Sequence, residues 1–177
     1  MMVWVMLKIT TVLLVTLSLT GCASKPFTPT KRFNPSELEW ANASGSGVLS
    51  GQAFLKTVAG DVKTCAGNPV RLIPHSSYSA ERIQYLYGNL VRGFNQSSLF
   101  SSKTIVNPDP RFYGYIRETV CDAQGEFKFG NIPDGTYYIT THVLWKVSAD
   151  AYSTEGGVLM KRVNVPSGSN QKHILSH

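Results

Sequence analysis

From Arg111 to Leu175 the chain alternates with a period of two, and turn residues cut the alternation into short pieces. Phe112, Gly114, Ile116, Glu118 and Val120 fall on one side of an extended backbone, and Tyr113, Tyr115, Arg117, Thr119 and Cys121 on the other. Asp122-Ala123-Gln124-Gly125 reads as a turn, with Gly125 free to take positive φ. Glu126 to Phe129 is a short strand, Pro133-Asp134-Gly135 the next turn, and Thr136 to Val147, rich in Thr, Tyr, Ile, Val and Trp, the strongest strand of the chain. A loop over Asp150 to Gly157, a strand over Val158 to Val165, a turn at Pro166-Ser167-Gly168 and a last strand from Gln171 to Leu175 complete the pattern. Many short strands separated by Gly and Pro turns can bury their apolar faces only by stacking two sheets, so the expected fold is an all-β antiparallel sandwich.

The same rhythm begins upstream, near Gly47. A strand runs through Phe54 and Leu55, turns follow at Val58 to Val62 and at Cys65 to Asn68, and Pro69 to Pro74 forms a second strand with Val70 and Leu72 on one face. Between the two blocks the period changes. Ile83, Leu86, Leu90 and Phe94 recur at helical spacing, which predicts one helix over Ser79 to Phe94, capped by Ser79 and stopped by Gly93. Asn95 to Pro110 reads as a polar loop, so a helical insertion occupies about residues 76–111.

The N-terminal part has a different character. Lys8 precedes an apolar run from Ile9 to Leu19, and Leu19-Thr20-Gly21-Cys22 follows, the order expected of a secretory signal over residues 1–21. Leu19-Thr20-Gly21-Cys22 resembles the lipobox of bacterial lipoproteins. The resemblance implies cleavage before Cys22 and fatty acylation of its thiol. At about 0.8 kcal/mol per buried CH₂, two or three chains such as palmitate make a lasting anchor. It also implies, from Ala23 after the cysteine, a place at the outer membrane of the cell envelope. An uncleaved transmembrane helix over Met1 to Thr20 and a cleaved signal without lipid are the other readings. Met6 is the expected start, because it brings Lys8 near the terminus. Residues 22–46, with Pro26, Pro29, Pro35 and Ala41-Asn42-Ala43-Ser44-Gly45, read as a flexible tether. The folded domain is expected over 47–177.

Three further segments carry a second resemblance: Gly47-Val48-Leu49-Ser50-Gly51-Gln52-Ala53, Ala66-Gly67-Asn68-Pro69-Val70-Arg71-Leu72, and the hairpin from Asp122 to Tyr138. Together they resemble the carboxypeptidase regulatory-like domains. That resemblance implies a transthyretin-like, immunoglobulin-like β-sandwich, here enlarged by the insertion, and a module without catalytic residues of its own. Phe127 and Phe129 are expected in one core, with Tyr137 returning to the interior.

The candidate chemistry is sparse. Apart from Cys22, the cysteines are Cys65 and Cys121, an even pair in an oxidising compartment; a disulfide at the base of the insertion is expected, with free thiols or redox chemistry as alternatives. His75, His142, His173 and His177 show no ligand spacing, so no metal or other cofactor is expected. No Gly-x-Ser-x-Gly elbow and no phosphate-cradling glycine loop occurs, which argues against an enzyme, a hydrolase included. Lys and Arg number 17 against 11 Asp and Glu, but they are scattered and mark no nucleic-acid groove. Tyr78, Tyr85, Tyr87, Phe94, Phe112, Tyr113 and Tyr115 cluster in and just after the insertion, beside Arg111 and Arg117. They either pack the helix onto the sandwich or, as Tyr78, Tyr85, Tyr87, Phe94, Arg111, Tyr113, Tyr115 and Arg117, form a partner-binding face for an envelope protein or glycan. The expected function is therefore a lipid-anchored envelope module that binds or scaffolds, with a structural accessory subunit of an envelope assembly as the alternative and a hydrolase as a third reading.

Overall fold

The computed structural model describes residues 26–97, 103–152 and 154–177. The expected signal, Cys22 and the alternative start at Met6 lie outside these residues. Among the described residues no helix is long and apolar enough to cross a membrane.

Nine strands and one α-helix follow in chain order among the described residues: β1 (Gly47–Lys56), β2 (Val62–Thr64), β3 (Pro69–Pro74), α1 (Ser77–Tyr87), β4 (Arg92–Gln96), β5 (Arg117–Val120), β6 (Glu126–Ile132), β7 (Gly135–Lys146), β8 (Thr154–Val165) and β9 (Asn170–Leu175). One sheet holds β2, β1, β6 and β9; the other is ordered β4-β8-β7-β3-β5. Among the described residues, every pairing between these strands is antiparallel except β1 with β9, which run parallel. The fold is thus the expected β-sandwich with a helical insertion, and the last strand departs from the antiparallel rule. The alternation in β1, β6 and β7 puts Leu49, Ala53, Phe127, Phe129, Tyr137, Ile139 and Val143 into one buried cluster with Val70, Leu72, Leu159, Val163 and Leu175. This is the core between the sheets, about the 10 Å layer two inner faces fill.

The disulfide joins Cys65 and Cys121, whose Cα atoms are 5.8 Å apart. Cys65 lies on the crossover from β2 to β3 and Cys121 on the crossover from β5 to β6, so the bridge ties two corners where the chain changes sheets. Backbone bonds reinforce it: Gly67 N–H donates to Cys121 O at 3.0 Å and Cys121 N–H to Asn68 O at 3.0 Å.

Four expectations change. The helix starts and stops earlier than its apolar spacing suggests. Ser76, in extended backbone, caps it, its hydroxyl accepting from Ser79 N–H (3.1 Å) while Ser79 Oγ accepts from Ser76 N–H (2.8 Å). At the other end Gly88 takes a left-handed φ of 69° and ends the helix, so Leu90 and Phe94 lie beyond it. Phe94 sits instead in β4, and Asn95 and Gln96 extend that strand into the expected loop.

Second, Pro110–Tyr115 is a 3-10 helix rather than the start of a strand. Pro110 opens it, and the Asp109 carboxylate accepts from Arg111 N–H at 3.0 Å. Alternation resumes only at β5.

Third, the segment read as a tether is folded over its described part. Asn34 caps a 3-10 turn at Pro35–Glu37, a second turn covers Glu39–Asn42, and Phe33, Leu38 and Ala41 are buried. Leu38 and Phe33 join Tyr78 and Phe112 in a cluster outside the sandwich, and Trp40 packs against both this cluster and the core. The Trp40 and Tyr137 rings meet edge to face at 5.3 Å. A Cβ on Gly135 would fall 2.2 Å from the Trp40 ring, so the glycine of the Pro133-Asp134-Gly135 turn makes room for the indole. The Glu37 carboxylate accepts from Ser77 N–H (2.7 Å) and Ser77 Oγ (2.9 Å), placing an anion at the start of α1. Apolar residues at 33, 38, 40 and 41 are too few to form a core alone, but they suffice to complete one.

Fourth, Arg117 holds this segment down. Its guanidinium donates to the carbonyls of Asn131 (2.8 Å), Ala41 (3.2 Å) and Ala43 (3.2 Å). It acts as an internal clasp rather than part of a free binding face.

Candidate functional site

In the five-stranded sheet, residues that do not face the core form an outer face that α1 partly covers. β7 turns Tyr138, Thr140 and His142 this way, β8 turns Val158, Met160 and Arg162, β3 turns Arg71 and Ile73, and the register carries the rows across to Glu118 and Asn95. α1 covers one part of this outer face by laying Ile83 on Tyr138 and Met160. The rest is left open as a groove of about 510 Å³. Arg71, Thr140, His142, Val158, Asn95 and Glu118 lie along its sheet side. Arg82, Leu86 and Tyr87 of α1, Phe112 and Tyr113 of the 3-10 segment, and Ile116 just after it form the other boundary.

The polar groups of the groove are ordered. Arg71 Nε donates to Glu118 Oε2 at 2.9 Å, a cross-strand pair at the edge of the sheet. The Arg82 guanidinium lies 5.2 Å from the Phe112 ring centroid, 5.4 Å from that of Tyr78 and 5.8 Å from that of Tyr113. It donates to the Tyr78 hydroxyl at 3.3 Å and to the Tyr113 hydroxyl at 3.5 Å. Burial pushes the Tyr87 phenol above its ordinary value, so it is a neutral hydrogen-bonding group there. Burial, and then the Arg71 charge, hold His142 below its usual 6.5. Planar amide, imidazole and guanidinium groups beside an aromatic wall can hydrogen-bond hydroxyls while a ring face packs on the aromatic.

The eight aromatic and basic candidates divide. Tyr87 and Tyr113 line the groove, and Tyr113 is 50% exposed. Tyr78 is buried at 3% exposure; its hydroxyl accepts from Asp109 N–H at 2.9 Å, and its ring meets Phe112 edge to face at 5.1 Å. Tyr115 packs edge-on against Phe33, and Arg111 pairs with Asp109 at 2.7 Å above the Phe33 ring. Tyr85 stacks on Phe27 with centroids 4.3 Å apart, outside the groove. Phe94 faces the sandwich and stacks on His177 at 4.8 Å. The cluster is therefore mostly packing, and a smaller part of it faces the groove. Sequence reasoning missed Arg71, Arg82, Glu118 and Asn95. The signal for Arg71 was present, a charged residue between the inward Val70 and Leu72.

Three imidazoles tie stability to pH. His75, His142 and His173 are all held below 6.5 by burial first and by a nearby cation second, Arg162, Arg71 and Lys161 respectively. The folded chain takes up these protons at lower pH than the unfolded chain, so their penalty is absent above about pH 6.5 and grows as pH falls below it. The melting temperature should drop between pH 7.5 and 5.5, and less so in His142→Gln. Identical slopes for the two proteins would contradict the assignment.

Among the described residues no group of three or more His, Cys, Asp or Glu is placed to hold a metal ion. No protein-family model matches the chain, and no curated protein does. Among solved structures, the chain is similar to the crystal structure of "a putative carbohydrate binding protein (PA1324) from Pseudomonas aeruginosa", at 30% identity and a TM-score of 0.67. The match covers 83% of this chain and 99% of the Pseudomonas chain. With that identity sustained over nearly all of the other chain, this protein belongs to the same family as the Pseudomonas protein.

Proposed function

We propose that the protein is a non-catalytic glycan-binding module of the cell envelope, anchored through acylated Cys22 at the outer membrane, with the groove between α1 and the five-stranded sheet as its binding site. The carrying observation is the groove itself: a half-exposed Tyr113 beside Arg71, Arg82, Asn95, Glu118 and His142, in a relative of a protein described as carbohydrate binding. Sugars are bound by planar polar side chains that match paired hydroxyls and by aromatic faces that cover C–H surfaces, and the groove has both. Its volume falls in the range of small-ligand clefts, roughly 300–1,000 Å³.

The carboxypeptidase regulatory-like assignment belongs to the same reading. It is supported by the β6–β7 connection: Gly125 turns the chain into β6 at φ 75°, Phe127 and Phe129 enter the core, and Tyr137 donates its hydroxyl to Pro133 O at 3.0 Å. β6 and β7 lie in opposite sheets, so the segment read as a hairpin is an arch between the sheets.

Glycan-array binding of the chain from residue 26 onward tests the site. Tyr113→Ala should weaken the best hit about 3- to 10-fold, the scale of one aromatic contact of roughly 0.5–1.5 kcal/mol, without lowering the melting temperature. A folded protein that binds no glycan would end this reading. Palmitate labelling of the full chain tests the anchor independently, since Cys22→Ser should abolish it.

A further inference from the structure

We infer that the groove selects acidic glycans, with the Arg82 guanidinium receiving the carboxylate of a uronic-acid residue. The inference rests on the glycan reading above and narrows it to a ligand class. It starts from the charge balance of the groove. Arg71 and Glu118 cancel in their ion pair. The remaining ion pairs among the described residues are Lys63–Asp61, Arg111–Asp109 and Lys172–Glu126. None involves Arg82. Its sequence neighbour Glu81 is engaged elsewhere, accepting from Thr30 N–H (3.1 Å) and Lys31 N–H (2.8 Å). Among the described residues, Arg82 therefore leaves one uncompensated positive charge on the groove wall.

That charge is held in place. Three aromatic rings lie within 5.8 Å of the guanidinium carbon, and two phenol oxygens accept long bonds of 3.3 and 3.5 Å. A guanidinium has five donors in a rigid fork that matches a carboxylate bidentately. Two weak phenol contacts leave most of that capacity unused. The phenols carry no negative charge, so among the described residues an incoming carboxylate competes with no internal carboxylate for Arg82. Tyr113, which Arg82 touches, is the half-exposed aromatic of the site. A sugar ring whose carboxylate reaches Arg82 thus has an aromatic surface beside it.

The test begins with an array carrying uronate-bearing and neutral polysaccharides. It continues with calorimetry on polygalacturonate, its carboxyl-reduced form, and a sulfated neutral galactan. Binding concentrated on uronates, at least 10-fold tighter for polygalacturonate than for the reduced polymer and weakened by added salt, is the expected result. Arg82→Gln should erase about 10-fold or more of the polygalacturonate affinity, the scale of a charge-assisted hydrogen bond, and Arg82→Lys should fall between. Thermal melts of both variants separate lost binding from lost folding, and the salt dependence of the wild type stands independently of either. Preference for neutral polymers, or equal binding of native and reduced forms, would overturn the acidic selectivity and leave the glycan reading intact. Sulfated galactan binding as tightly as polygalacturonate would overturn the carboxylate assignment. A blank array with folded protein would remove the glycan reading itself.

Discussion

Removing the Cys65–Cys121 bridge should cost this protein on the order of 4 kcal/mol. The two cysteines stand 56 residues apart in sequence, and in the chain-entropy account a loop of that size restrains the unfolded chain by about that amount. For a domain of this size, such a loss lowers the melting temperature by on the order of 10 °C. The closed loop contains β3, α1, β4, the 3-10 segment and β5, so it holds most of the groove. The Cys65→Ser/Cys121→Ser variant should therefore lose stability and ligand affinity together. A melting temperature within about 1 °C of wild type would show that the bridge does not restrain the fold. Reduction with dithiothreitol gives the same comparison without any substitution.

The second large effect is expected at Leu38. Its side chain is fully buried among Phe33, Tyr78 and Phe112, in a segment whose sequence looks like a linker. Leu38→Ala removes buried methyl groups and leaves a cavity, which should destabilise the domain by about 2–5 kcal/mol. A flexible tether would give no change at all. Urea unfolding of the chain from residue 26 onward distinguishes the two outcomes, and a midpoint equal to wild type would restore the tether. Because the same cluster supports Phe112 and Tyr78, the variant should also loosen the wall that carries Arg82.

The sandwich was legible because its information is local. Val70 and Leu72, or Phe127 and Phe129, declare their face by alternation alone, and Gly125 declares its turn. The helix ends were harder, since the apolar spacing continued through Leu90 and Phe94 while Gly88 and the Ser76–Ser79 pair had already decided the limits. The tether failed for a different reason. Phe33, Leu38 and Trp40 find their partners in α1, the 3-10 segment and β7, and no pattern inside residues 26–46 reports them. The groove lies at the same distance from local inference. Arg71 and Glu118 are 47 residues apart and meet only because β3 and β5 pair in one register. Composition did point to the correct stretch for Tyr113, but it could not separate that exposed ring from the buried ones around it.

The path of the chain before Phe33 has a mechanical meaning. Phe27 donates its N–H to Thr104 O and accepts from Val106 N–H, both at 2.9 Å, while its ring lies on Tyr85; Thr30 and Lys31 are then gripped by Glu81. Tension applied from the N-terminal side must peel these contacts before any load reaches the sandwich. Tyr85 and Glu81 belong to the helix that also bears Arg82 and Tyr87, so a tug on the segment before Phe33 is delivered first to the roof over the groove.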